Sequence, residues 1–234
     1  MVETVAIIHV CIQAAAVLLW CVRGFWRFYP AWTCFGLLAI AQGWAMLATN
    51  GQANAGMWCL FAPFLILGMF DSVLELFLRL SRLYKRFHRD RFRWLAIPIL
   101  LGCVLGGLLV REQLSRPSDF YRGLFLAQIV SGSIFGSVLL LSWIASIPVR
   151  IPLNLRHHLL LLTIFIATNT VAFTQYLASE DQLFIRQILL FVPPMVLMAW
   201  SLTMRQDGEL EQEREEEMPA STLEQVLQAL EKIK

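Results

Sequence analysis

The stretch MWCLFAPFLILGMFDSVLELFLRLSRLYKRFHRDRFRW, residues 57–94, decides the fold. It opens with an apolar run over 57–80, close to the ~20 residues that a helix needs to cross a bilayer. Two acids, Asp71 and Glu75, interrupt that run. Seven cations then follow: Arg79, Arg82, Lys85, Arg86, Arg89, Arg91 and Arg93. With ~1.5 Å of rise per residue and a hydrocarbon core ~30 Å thick, Asp71 falls roughly 5 Å from the midplane. An ionisable group at that depth costs several kcal/mol unless it is paired, protonated or wet.

Working outward, six more apolar windows emerge: 4–22, 31–48, 94–110, 124–147, 159–177 and 183–204. Short polar connections join them, such as Thr49-Asn50-Gly51-Gln52. The chain is 58% hydrophobic and only 15% charged, with a mean hydropathy of +0.62. Soluble domains lie nearer half apolar and a quarter charged. The pattern predicts an all-α protein: a polytopic integral membrane bundle of seven transmembrane helices. Its domain is expected to span 1–205, leaving no room for a second globular one. The leader Met1-Val2-Glu3 lacks the cations of a signal peptide, so the first window is read as a retained span.

Cations settle the expected orientation. With the N-terminus outside, the inner connections hold twelve Lys and Arg and the outer ones four: Arg111, Arg116, Arg122 and Arg186. The positive-inside rule then places the tail in the cytoplasm. Trp20, Trp26, Trp32, Trp94, Trp143 and Trp200 fall at the inner interface on this scheme. A bacterial inner (plasma) membrane is the expected location.

After Arg205 the composition changes. Residues 206–218 form an acidic linker that cannot bury a core. Over 219–234, Ser221 and Glu224 make a capping box. Leu223, Val226, Leu227, Leu230 and Ile233 then give one apolar face, the mark of a short amphipathic helix suited to a cytoplasmic protein partner. The seven cations of 79–93 read as a surface for anionic lipid headgroups, on an amphipathic continuation of the third span through Leu80, Leu83, Tyr84 and Phe87. Nucleic acid is not an expected partner.

Asp71 and Glu75 lie one turn apart on one helix face, and Glu75 has Arg79 four residues on. Span six is unusually polar, with Thr163, Thr168, Asn169, Thr170, Thr174 and Gln175, and span five adds Gln128, Ser131 and Ser133. One reading gathers Asp71, Glu75, Gln128, Asn169 and Thr170 into an intramembrane polar cavity that binds a cation or responds to protons. The other lets these side chains hold helices together through hydrogen bonds. Pro193 and Pro194 remove two backbone bonds at the centre of span seven, which makes a hinge or a fixed bend. Gly102-xxx-Gly106 and Gly132-xxx-Gly136 offer small faces for close packing, within the chain or between copies in a homo-oligomer.

No cofactor is evident. The only lysines are Lys85, Lys232 and Lys234, so no span offers a retinal Schiff-base lysine. The five cysteines have no metal spacing, and His157-His158 has no zinc-type partner and is read as facing headgroups. Phosphate loops, nucleophile elbows and dinucleotide fingerprints are absent from the sequence. Function therefore narrows to three expectations: a small receptor- or sensor-like module, a proton-coupled transporter or channel using Asp71 and Glu75, or a non-catalytic structural or assembly subunit. A membrane-embedded enzyme ranks behind them.

Overall fold

A computed structural model describes residues 2–48, 54–82, 85–114, 120–146, 151–178 and 182–205. Among them the protein is all-helical: α1 (Val2–Val22), α2 (Pro30–Ala48), α3 (Asn54–Arg82), α4 (Lys85–Leu114), α5 (Phe120–Ser146), α6 (Leu153–Ala178) and α7 (Gln182–Thr203). A single 3-10 turn, Phe25–Arg27, links α1 to α2. It is entered through Gly24, whose φ of 75° is the left-handed conformation that a side chain resists. Each apolar window falls on one helix, most to within a few residues, though α4 begins nine residues before the 94–110 window and α6 six before the 159–177 window.

Among the described residues, four stretches are long and apolar enough to cross a membrane: Cys59–Arg82, Trp94–Arg111, Arg122–Ser146 and Leu153–Ala178. α1 and α7 contribute shorter apolar stretches, Ile7–Val22 and Phe191–Thr203. The chain is thus read as an integral membrane protein, because so much contiguous apolar helix surface has no aqueous solution that leaves it solvated.

Six helices close a ring. α1 packs on α2, α2 on α3, α3 on α5, α5 on α6, α6 on α7, and α7 returns to α1. α4 stands outside this ring, laid mainly along α5 with a smaller contact to α3. Its inner stripe is Pro98, Gly102, Gly106 and Val110, four residues apart and all buried. The glycines let the two backbones meet: a Cβ on Gly102 would run into the backbone of Ile134, and one on Gly106 would lie 3.0 Å from the Val130 Cα. Gly132, on another face of α5, lies against Thr170 of α6. Gly102, Gly106 and Gly132 therefore serve packing within the chain, whereas a Cβ on Gly136 would meet nothing within 4 Å.

α3 ends at Arg82 and α4 begins at Lys85. The expected amphipathic continuation of the third span runs through Leu83 and Tyr84, which lie outside the described residues. Lys85, Arg86, Arg89, Arg91 and Arg93 belong to the first turns of α4, while Arg79 and Arg82 close α3. α7 runs continuously through Pro193 and Pro194, with Pro194 buried. The expected acidic linker and the expected tail helix carrying Leu223 to Ile233 lie outside the described residues.

Candidate functional site

The ends of α1, α3 and α7 and the starts of α2 and α6 meet at one end of the bundle, which is rich in arginine. Here Arg23, just past α1, donates to the carbonyl oxygens of Ser201, in the last turn of α7, and of Met204 just after it. A guanidinium suits that position, because the last carbonyls of a helix lack intrahelical donors and carry partial negative charge. Asn154 completes the closure: its amide donates to the Arg205 carbonyl and its Oδ1 accepts the Arg205 N–H at 2.9 Å. The Ser201 hydroxyl reaches across to the Ala16 carbonyl at 2.7 Å.

The opposite charge arrangement closes α2. Glu75, partly buried on α3, accepts the Ala31 N–H at 3.1 Å, in the first turn of α2, where free N–H groups and the helix dipole favour an anion. Its other oxygen lies 3.6 Å from Arg79. The Arg79 guanidinium sits 4.3 Å from the Tyr29 ring centroid, a cation–π contact.

Behind Tyr29 lies an aromatic core. Its ring is 4.6 Å from that of His158, which is 4.8 Å from Trp200, and Trp200 is 3.7 Å from Trp32. His158 and Trp200 are both 0% exposed. Neither ring nitrogen of His158 and not the Trp200 indole N–H has a hydrogen-bond partner. Comparison with protein-family models, curated proteins and solved structures finds no match to this chain. The site therefore rests on its own geometry.

That geometry corrects two sequence expectations. His158 does not face headgroups; it packs at the centre of the arginine-rich end, because it lies in phase with the buried Leu155, Leu159 and Leu162. Trp20, Trp32 and Trp200 are core residues, not an interfacial belt, whereas Trp26 and Trp94 do point outward. Tyr29, Arg23 and Asn154 carried no motif, so sequence reasoning passed over them. The phase of His158 with its leucines was the one readable signal.

The expected polar set is dispersed. Asp71 stands on the exposed side of α3, pointing away from the ring, while Glu75 one turn on turns toward α2. Asn169 bonds its own helix through the Phe165 carbonyl, and Thr170 through that of Ile166. Ser131, Ser133, Ser137 and Thr174 do the same, so most hydroxyls of α5 and α6 are satisfied within one turn. Gln128, half-buried, lies one turn from Gly132 and thus near the α5–α6 contact. Other polar contacts do join helices, such as the Trp143 indole N–H to Thr163 at 3.1 Å and that of Trp20 to Thr33 at 2.9 Å. A small cleft between α3, α4 and α5 is lined by apolar side chains including Phe70, Val73, Ile99 and Ile134, and Asp71 is not among them.

Proposed function

We propose that this protein is a non-catalytic subunit of a membrane assembly, working by lateral association with another protein in the bilayer. The observation that carries this reading is how the polar groups are used. Glu75, Arg23 and Asn154 are taken up in closing and joining this chain's own helices, and most hydroxyls of α5 and α6 bond carbonyls of their own helix. Asp71, the acid at mid-span, is turned away from the bundle. A transporter or a cavity-based sensor would want that acid facing inward, lining a path or pocket. We further propose seven spans with the N-terminus outside and the tail in the cytoplasm. The twelve-to-four distribution of Lys and Arg supports that orientation, and the gathering of Arg23, Arg79, Arg82, Arg156 and Arg205 at one end agrees with it.

Two measurements on the full chain test the function. In mild-detergent extracts of native membranes, the wild type should migrate as part of a larger assembly and Asp71→Leu as the free chain. In proteoliposomes, neither should show proton or cation flux. Migration of both as the free chain, or a flux that Asp71→Asn abolishes, would overturn the reading.

A further inference from the structure

The outward side of α3 carries Leu60, Phe64, Leu67 and Asp71, and Leu74 and Leu78 continue the row. Successive residues are four or three apart, the spacing of a helix–helix seam. Leu60, Phe64 and Leu67 are 59%, 53% and 59% exposed, and Asp71 is exposed with them. The span Cys59–Arg82 has its centre between Phe70 and Asp71. Headgroups are then ~15 Å away on either side. Lys and Arg can snorkel such distances on their long stems, but Asp has a single methylene.

Among the described residues the chain itself offers Asp71 nothing. Glu75 is committed to Ala31 and Arg79, and among the described residues Asp71 has no hydrogen bond or ion pair. Among the described residues a second copy offers no more. The exposed arginines among the described residues are Arg27, Arg82, Arg111, Arg156 and Arg205, all at or beside helix ends. Intramembrane acids are characteristically met by a pairing group, and a lysine or arginine is the one of complementary charge.

We propose that the outward face of α3 is the docking surface for a transmembrane helix of another protein, one that carries a lysine or arginine opposite Asp71. This inference rests on the lateral-association reading and adds the partner's chemistry. Leucines on either side supply the packing surface, and the ion pair at mid-span fixes depth and register. A single polar residue in an apolar seam selects its partner by making every other alignment leave a charge unpaired.

The test uses the full chain, donor-labelled, in phosphatidylcholine vesicles with acceptor-labelled polyleucine helices. One helix is all leucine, a second has one central lysine and a third one central aspartate. Energy transfer should show the lysine helix bound on the order of tenfold more tightly than the all-leucine helix. That preference should disappear in Asp71→Leu and shrink in Asp71→Asn, while Asp71→Lys should switch it to the aspartate helix. Thermal unfolding confirms that each variant is folded. No preference in the wild type, or a preference that survives Asp71→Leu, would overturn the proposal, as would Asp71-dependent transfer between labelled copies of the chain itself. If the native assembly is lost in Asp71→Leu while the lysine helix shows no preference, the ionic partner is excluded and lateral association stands. If no native assembly exists, the broader reading falls.

Discussion

The carboxylate of Glu75 accepts the backbone N–H of Ala31 at 3.1 Å, so an acid inside one helix closes the first turn of another. Removing such an N-terminal acceptor costs about 0.5–2 kcal/mol. Glu75→Ala should therefore lower the thermal stability of the purified chain, and Glu75→Gln, which keeps an acceptor oxygen, should lower it less. Equal stability of all three proteins in detergent would mean that the contact contributes nothing.

α4 adheres to the ring through glycine. Gly102 faces the Ile134 backbone, which cannot move aside as a side-chain tip can, whereas a Cβ on Gly107 meets nothing within 4 Å. Gly102→Ala should destabilise by about 1–3 kcal/mol through overpacking. Gly107→Ala should be neutral or stabilising, by up to ~1 kcal/mol, because alanine favours helix over glycine. Thermal unfolding and membrane accumulation of the two variants, compared side by side, check the sign of each.

His158 is the reverse case, a buried polar ring whose nitrogens lack partners. An unsatisfied buried polar group costs roughly 1–3 kcal/mol. Replacing it by an apolar ring, His158→Phe, should hold the unfolding temperature level or raise it. A marked fall would show that the nitrogens are bonded in the membrane, to water or to a bound molecule, and that the aromatic core holds a site.

Orientation has its own test. A reporter active only in the cytoplasm should work when fused after Arg93, after Arg156 or at the C-terminus, and stay silent after Gly51 or Arg116. Activity after Gly51 would invert the proposed topology.

The helices were legible because a spanning segment needs some twenty apolar residues in a row, and that demand leaves a long unbroken trace. The close approach of α4 to α5 was equally legible, since Gly102 and Gly106 fall one turn apart. Which way a side chain points was harder to read. A membrane helix is apolar toward its neighbours and toward lipid alike, so the contrast that orients an amphipathic helix is missing. Asp71 and Glu75 illustrate this, sharing a face by spacing yet turned to different surroundings. The part Glu75 plays depends on where α2 starts, and that is set by the Gly24 turn and the short 3-10 segment after it. Histidine and tryptophan near a helix end suggest an interface, and only their phase with leucine told His158 apart.

The central claim is that Asp71 faces out of the bundle while Glu75 is held within it. The most direct measurement treats the full chain in vesicles with dicyclohexylcarbodiimide, a lipid-soluble reagent that modifies carboxyl groups reached from the hydrocarbon. Peptide mass mapping then reads the sites. The account predicts modification of Asp71, none at Glu75, and an unchanged unfolding temperature, because the adduct lies on the outward face of α3. Modification of Glu75 with Asp71 untouched, or unfolding of the bundle once Asp71 is modified, would contradict it.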